Sequence, residues 1–169
     1  MQYLSQTINT FQNFFYAQNK EELFDVEKTL QNVVTFVKES LLSEQIEITL
    51  HVNKNVPLRG DENALFQAVI NIILNAKDAL LANTNDTKWI HIELTCNDTF
   101  IEIGIENNGG TISITPIENI FELFITDKTE GSGMGLFITK MLVESQLNGK
   151  INVTNTNDGV CFRLCFKGV

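Results

Sequence analysis

Gln67-Ala68-Val69-Ile70-Asn71-Ile72-Ile73-Leu74-Asn75-Ala76-Lys77-Asp78-Ala79-Leu80 decides the reading of this chain. Its polar members Gln67, Asn71, Asn75 and Asp78 fall at i, i+4, i+8 and i+11, which is one stripe of a helix. Leu65, Val69, Ile70, Ile72, Ile73, Leu74, Ala76 and Ala79 surround that stripe, so the helix is apolar nearly all round and is expected to be buried. Buried amides without partners cost roughly 1–3 kcal/mol each, so a polar ligand is expected to meet them. Amide oxygens are hard donors suited to Mg²⁺, which takes phosphate oxygens and waters as its other ligands. Far downstream, Gly131-Ser132-Gly133-Met134-Gly135-Leu136 runs straight into a helical pattern, an arrangement that lets backbone approach a phosphate closely. The stretch lacks the Gly-Lys-Ser/Thr of a P-loop, and no strand precedes it directly as in a dinucleotide fingerprint. The two segments together predict a nucleotide site assembled from distant parts of one domain.

Working outward, the apolar spacing gives the remaining elements. Asp25 is a candidate cap for a helix whose Leu30, Val33, Val34, Val37 and Leu41 form a core stripe, and Asp61 for the asparagine helix over roughly 61–82. Ile46, Ile48, Leu50 and Val52 alternate as a strand does, as do Ile90, Ile92 and Leu94, and Phe100, Ile101, Ile103 and Ile105 across a turn at Asn97-Asp98. Leu136 to Leu147 reads as a helix stopped by Asn148-Gly149, and 151–154 and 160–166 as a closing hairpin. The order predicts an α+β fold, a mixed sheet covered by helices. Leu4, Ile8, Phe11 and Phe15 form a heptad-like seam, which fits either a helix packed on its own domain or the end of a longer one. The polar run from Ala17 to Glu22 reads as a linker.

Composition narrows the function. The 169 residues suffice for one domain with a core, and 43% hydrophobic and 20% charged residues are ordinary for a soluble globular protein. A net charge of −9 argues against nucleic acid or an anionic membrane as partner. No apolar run approaches the ~20 residues of a spanning helix, and the first residues do not read as a signal peptide. Cys96, Cys161 and Cys165 form no CxxC, and with two histidines, His51 and His91, no zinc constellation is visible; reduced core thiols are expected.

In combination the motifs resemble the GHKL ATP-binding superfamily, and within it the catalytic domain of sensor histidine kinases. Residues 67–80 look like the N box, Ile105-Glu106-Asn107-Asn108-Gly109-Gly110-Thr111-Ile112 like the G1 box, Ile120-Phe121-Glu122-Leu123-Phe124-Ile125-Thr126-Asp127-Lys128 like the F box, and 131–136 like the G2 box. The resemblance covers roughly residues 22–167, and residues 1–16 are similar to the end of the second helix of a dimerisation and phosphoacceptor domain. It implies a Bergerat-type two-layer fold with helices on one face, divided as 1–16 dimerisation helix, 17–24 linker and 25–169 catalytic domain.

The resemblance also implies ATP and Mg²⁺ as cofactors. Asn75 would be the Mg²⁺ ligand, Lys128 would reach a phosphate, and the backbone of Gly131, Ser132, Gly133, Gly135 and Leu136 would hold the triphosphate. Asn71, Asp78, Gly109 and Gly110 would line the nucleotide, and 109–134 would be a mobile ATP lid. Asn107 stands where the family's adenine-reading aspartate should be, Thr111 replaces the last G1 glycine, and Leu123 replaces the F box proline. An asparagine oxygen still accepts from the adenine amino group but without charge assistance, so nucleotide affinity is expected to fall by about 1–2 kcal/mol. Hydrolysing branches of the superfamily carry a glutamate at the position of Asn71. A neutral amide cannot act as that base, which favours phosphoryl transfer over hydrolysis.

Neither His51 nor His91 is followed by the acidic residue of the acceptor motif, and both sit inside strands, so the chain is expected to donate phosphate and not to accept it. The implied protein is a cytoplasmic two-component sensor histidine kinase, dimeric as a full-length protein and monomeric as this domain. Its partners would be a histidine-bearing dimerisation domain and a response regulator, without direct membrane contact or nucleic acid. A degenerate regulatory docking module is the alternative, supported by the G1 substitutions. An anti-sigma-type kinase acting on serine shares the boxes but does not account for residues 1–16.

Overall fold

The computed structural model describes residues 21–97, 99–125 and 133–168. The seam Leu4–Phe15, the first linker residues, Asp98, Lys128, Gly131 and Ser132 lie outside the described residues. Helix α1 (Val26–Leu42) starts at Asp25, whose carboxylate accepts from Lys28 N–H at 2.9 Å, and buries Leu30, Val33, Val37 and Leu41. Helix α2 (Glu62–Ala82) starts at Asp61, which accepts from Asn63 N–H, and buries Leu65, Val69, Ile72, Ile73 and Leu80. By length and composition α2 would pass for a membrane span, contrary to the sequence expectation that none exists. Its apolar side instead lies in the core of the domain.

The main sheet has five strands in the order β2-β4-β5-β7-β6: β2 (Ile46–Val52), β4 (Lys88–Cys96), β5 (Phe100–Asn107), β7 (Val160–Lys167) and β6 (Lys150–Asn155). Only β2 and β4 run parallel; the other neighbours are antiparallel. Register aligns Ile92, Ile105, Phe162 and Val153 across four strands, and Leu94, Ile103, Leu164 and Ile151 beside them, so one face is continuously apolar. Helices cover that face. Glu47, His51, His91 and Glu93 point the other way and are exposed.

Two features differ from the expectation. Residues 22–24, expected as linker, belong to a strand: β1 (Glu22–Asp25) pairs antiparallel with β3 (Pro57–Gly60). Neither strand is long enough to show an alternating pattern, which is why the sequence concealed them. The expected helix 136–147 is α-helical only as α3 (Gly135–Met141), then widens to a π-turn over Leu142–Gln146. It ends where expected, with Asn148 at φ 52 and Gly149 N–H donating to Val143 O at 2.8 Å.

Candidate functional site

The polar stripe of α2 faces the open side of the helical layer and not the core. Asn71 and Asn75 are half-buried, and Gln67 and Asp78 are exposed, so the expectation of a fully buried amide face is corrected. The helix turns Leu65, Val69, Ile72, Ile73 and Leu80 to the core, while the polar strip and also Leu74 and Leu81 meet solvent. Asn75 Nδ2 donates to the carbonyl of Asn71 at 3.0 Å, and the oxygen of the same amide, Oδ1, is a hard donor of the kind a cation takes. Such an oxygen, with the Asp78 carboxylate one turn along, is chemistry that fits Mg²⁺.

Gly135, the first residue of α3, comes close to the same amide. A Cβ on Gly135 would sit 3.8 Å from Asn75 Nδ2. Helix α3 therefore begins beside Asn75, although sixty residues separate them, and Leu136 packs on the core from that first turn. Immediately before it, Gly133 adopts φ +65, and a Cβ there would lie 2.7 Å from the Phe124 carbonyl carbon. Phe124 N–H donates to Gly133 O at 3.0 Å, so the two ends of the segment 125–132 are drawn together.

The third part is the loop that leaves β5. Gly109 presses on α2: a Cβ there would stand 2.9 Å from Ala79 Cβ and from Leu80 N. Gly110 N–H donates to Asp158 O at 3.1 Å. Asn107 is 3% exposed, and its Oδ1 accepts from Gly109 N–H at 2.9 Å. The loop thus sets Gly109 against Ala79, one helical turn from Asn75. Gly135 is thus brought to Asn75, and Gly109 to Ala79, on the helix that carries Asn71 and Asp78.

Three free thiols lie apart from this arrangement. Burial pushes the Cys96, Cys161 and Cys165 thiols above their ordinary range, so none is an activated thiolate at neutral pH. His91 stacks on Trp89 with ring centroids 4.1 Å apart, and His51 is exposed beside it on the uncovered face of the sheet. The sheet itself separates both imidazoles from α2.

The family described as histidine kinase-, DNA gyrase B- and HSP90-like ATPase matches residues 60–168. The chain belongs to this family. Among similar proteins, the two-component sensor PprA of Pseudomonas aeruginosa is 30% identical over 145 residues, 82% of this chain and 16% of that one. Sporulation kinase A of Bacillus subtilis is 28% identical over 119 residues, 70% of this chain and 19% of that one. The chain therefore spans less than a fifth of the length of these two curated relatives. The nucleotide-free catalytic domain of histidine kinase ThkA superposes with a TM-score of 0.75 at 25% identity, covering 87% of this chain and 96% of that one. ThkA in complex with response regulator protein TrrA gives 0.78 at 20% identity over 99% of this chain and 48% of that one, a likeness of fold alone.

Within this ATPase-family domain the structure bears on two expectations about the site. The segment 109–134 does not behave as one lid from its first residue. Asn155 clasps the backbone of Ile112, Oδ1 accepting from its N–H at 2.8 Å and Nδ2 donating to its carbonyl at 2.9 Å. Ile112, Ile114 and Ile117 pack on the core, Ile120 and Phe121 are buried in a 3₁₀ turn (Ile117–Phe121), and Phe121 meets Phe162 edge-on. These residues follow no regular period, so their anchoring is invisible to a pattern search.

The second concerns Asn107. Its oxygen, expected to accept from adenine, accepts from Gly109 N–H with one of its two lone pairs. Turning the amide over would strand that N–H at a cost of roughly 1–3 kcal/mol. Sequence reasoning also passed over Asn108, which is 6% exposed and locks the loop. Its Oδ1 accepts from Trp89 N–H at 2.9 Å, its Nδ2 donates to Thr87 O at 2.8 Å, and its carbonyl accepts from Asn85 Nδ2 at 2.7 Å. The only sequence signal was the run Asn107-Asn108-Gly109-Gly110, a composition typical of turns.

Proposed function

We propose that this domain binds ATP with Mg²⁺ and, as the catalytic part of a two-component sensor histidine kinase, passes the γ-phosphoryl group to a histidine on a separate dimerisation domain. One observation carries the reading: the Asn71–Asn75 strip, with an amide and not a carboxylate at 71, lies beside the first residue of α3. Asn75 Oδ1 and Asp78 would hold Mg²⁺ there, and the ion when bound screens the phosphate charges. The backbone from Gly131 to Leu136 and the Lys128 ammonium would position the triphosphate. Asn107, Gly109 and Gly110 would seat the base. Asn71 has no basic atom with which to take a proton from water, so the domain orients the donor without promoting hydrolysis. What remains is placement of an external imidazole in line with the γ-phosphorus.

Residues 1–16 would be the end of a dimerisation-domain helix, the parent protein would be a dimer on the cytoplasmic side, and a response regulator would be the next acceptor. A second reading, a docking module with lost or weak nucleotide binding, is favoured by the engagement of the Asn107 oxygen within its own loop.

A radiolabel assay tests both readings. Alone, the chain is expected to hydrolyse [γ-³²P]ATP slowly and to carry no label. Mixed with the histidine-bearing dimerisation domain of a close relative, it is expected to label that domain, and Asn75→Ala should abolish the labelling. Rapid hydrolysis by the chain alone would overturn the transferase reading. Absent labelling together with absent nucleotide binding would establish the docking module.

A further inference from the structure

The turn that joins β6 to β7 grips the loop that leaves β5, although the two lie far apart in the chain. Asn107 ends β5 and pairs with Val160 at the start of β7, and Val160 pairs on its other side with Asn155, the last residue of β6. Residues 156–159 close the hairpin there, with Thr156 N–H donating to Gly159 O at 2.9 Å. From this turn Asp158 O accepts from Gly110 N–H at 3.1 Å. The Asn155 amide holds Ile112 at both its N–H and its carbonyl, at 2.8 and 2.9 Å. Gly159 lies so close to the loop that a Cβ would strike the Asn107 carbonyl and stand 2.9 Å from Asn108 Cα, so no side chain fits.

Residues 107–111 carry no apolar side chain, so polar bonds and close backbone contacts set the course of the loop. Asn108 and Gly109 fix its middle, through Trp89 and Thr87 and against α2. The hairpin turn fixes both ends: Asn107 through Gly159, and Gly110 and Ile112 through Asp158 and Asn155. We propose that this turn is a positioning element for the nucleotide, in which Asn155 and Gly159 set the path of residues 107–112 and thereby the affinity of the site. They act through the loop and not on the ligand. With the clasp open the loop takes other courses, and apparent affinity falls by the fraction of time spent in the competent one. The inference rests on the nucleotide reading above and adds to it residues outside the four sequence boxes.

Asn155 is exposed, so truncating it removes two bonds and opens no cavity. A non-hydrolysable ATP analogue with Mg²⁺ is titrated calorimetrically, well below the thermal transition, into the unaltered chain, Asn155→Ala, Asn155→Asp and Asp25→Ala. Asn155→Ala is expected to bind at least fivefold more weakly than the unaltered chain. Asn155→Asp still accepts from Ile112 N–H but cannot donate to its carbonyl, and should fall between the two. Asp25→Ala loses a cap at the start of α1, remote from the loop, and should bind as the unaltered chain does. Gly159→Ala should weaken binding further than Asn155→Ala; should it fail to fold, the Asn155 variants still decide. Equal affinity of Asn155→Ala and the unaltered chain overturns the inference and leaves the nucleotide reading standing. An equal loss in Asn155→Ala and Asp25→Ala overturns it also, because the effect would then be one of general stability. If the unaltered chain binds no nucleotide, the nucleotide reading and this inference fall together.

Discussion

Helix α2 and the loop that leaves β5 bring residues to the same place, and different forces hold them there. The helix is seated by burial: Leu65, Val69, Ile72, Ile73 and Leu80 are fully enclosed, each contributing on the order of 1.5–3 kcal/mol. Asn71 and Asn75 are then set by helical geometry alone, since the core fixes the rotation of the helix about its axis. The loop has no such apolar anchor between 107 and 111. It is fixed by side-chain amides reaching backbone, through Asn108 and Asn107 itself, each bond worth a net ~0.5–1.5 kcal/mol. Burial tolerates small changes of shape, whereas an amide clasp fails when one atom is exchanged. The loop is therefore the part of the site where a single residue changes recognition without unfolding the domain.

That contrast can be broken at its strongest point first. Ile72→Ala removes a fully buried side chain from α2 and is expected to cost about 2–5 kcal/mol, read as a fall in the urea midpoint with an unchanged slope. A loss below 1 kcal/mol would show that α2 is not seated by its core face. Asn108→Ala leaves Trp89 N–H and Thr87 O without their partners and should cost roughly 1–3 kcal/mol. Its larger effect should fall on nucleotide affinity, because Asn107 and Gly109 would lose their fixed position. Equal affinity in the variant would separate the clasp from the site.

Asn155→Ala opens both bonds to Ile112 and should lower global stability by only about 1 kcal/mol. Amide hydrogen exchange at Ile112 should nonetheless accelerate several-fold, and unchanged exchange there would mean that packing of Ile114 and Ile117 alone holds the segment. The smallest effect belongs to Asp25, far from the site. The Lys28 N–H outweighs the opposing effect of burial and, with a lesser contribution from Asn55, holds its carboxyl below the usual carboxylate range. A depressed folded-state value means that its stabilisation is complete above the unfolded carboxylate pKa and disappears as the pH falls through the folded one. Asp25→Ala should cost about 1 kcal/mol at neutral pH, and the difference from the unaltered chain should vanish in acid. A difference that persists in acid would assign the loss to packing and not to the charged cap.

Much of this architecture was legible because it repeats. The stripes of α1 and α2, the caps Asp25 and Asp61, and the alternation in β2, β4, β5 and β7 all follow periods that burial imposes on sequence. Asn71 and Asn75 stood out for the same reason, as polar residues violating an apolar pattern. Lost to view were the segments without a period: β1 and β3, the π-turn after Met141, and the anchored stretch 112–121.

The sequence by itself determined which helix carries the amide strip, that a glycine-rich segment opens a later helix, and that residue 71 offers no base. Each of these is a matter of residue type and spacing along one continuous element. Only the tertiary structure decided that Gly135 begins its helix beside Asn75, that Gly109 lies on Ala79, and that Asn107 turns its oxygen inward to Gly109 N–H. These contacts join residues remote in the chain, or depend on a side-chain rotation that residue type does not specify. An amide has two faces of opposite hydrogen-bonding sense, and the surrounding fold alone selects the one turned to the loop backbone.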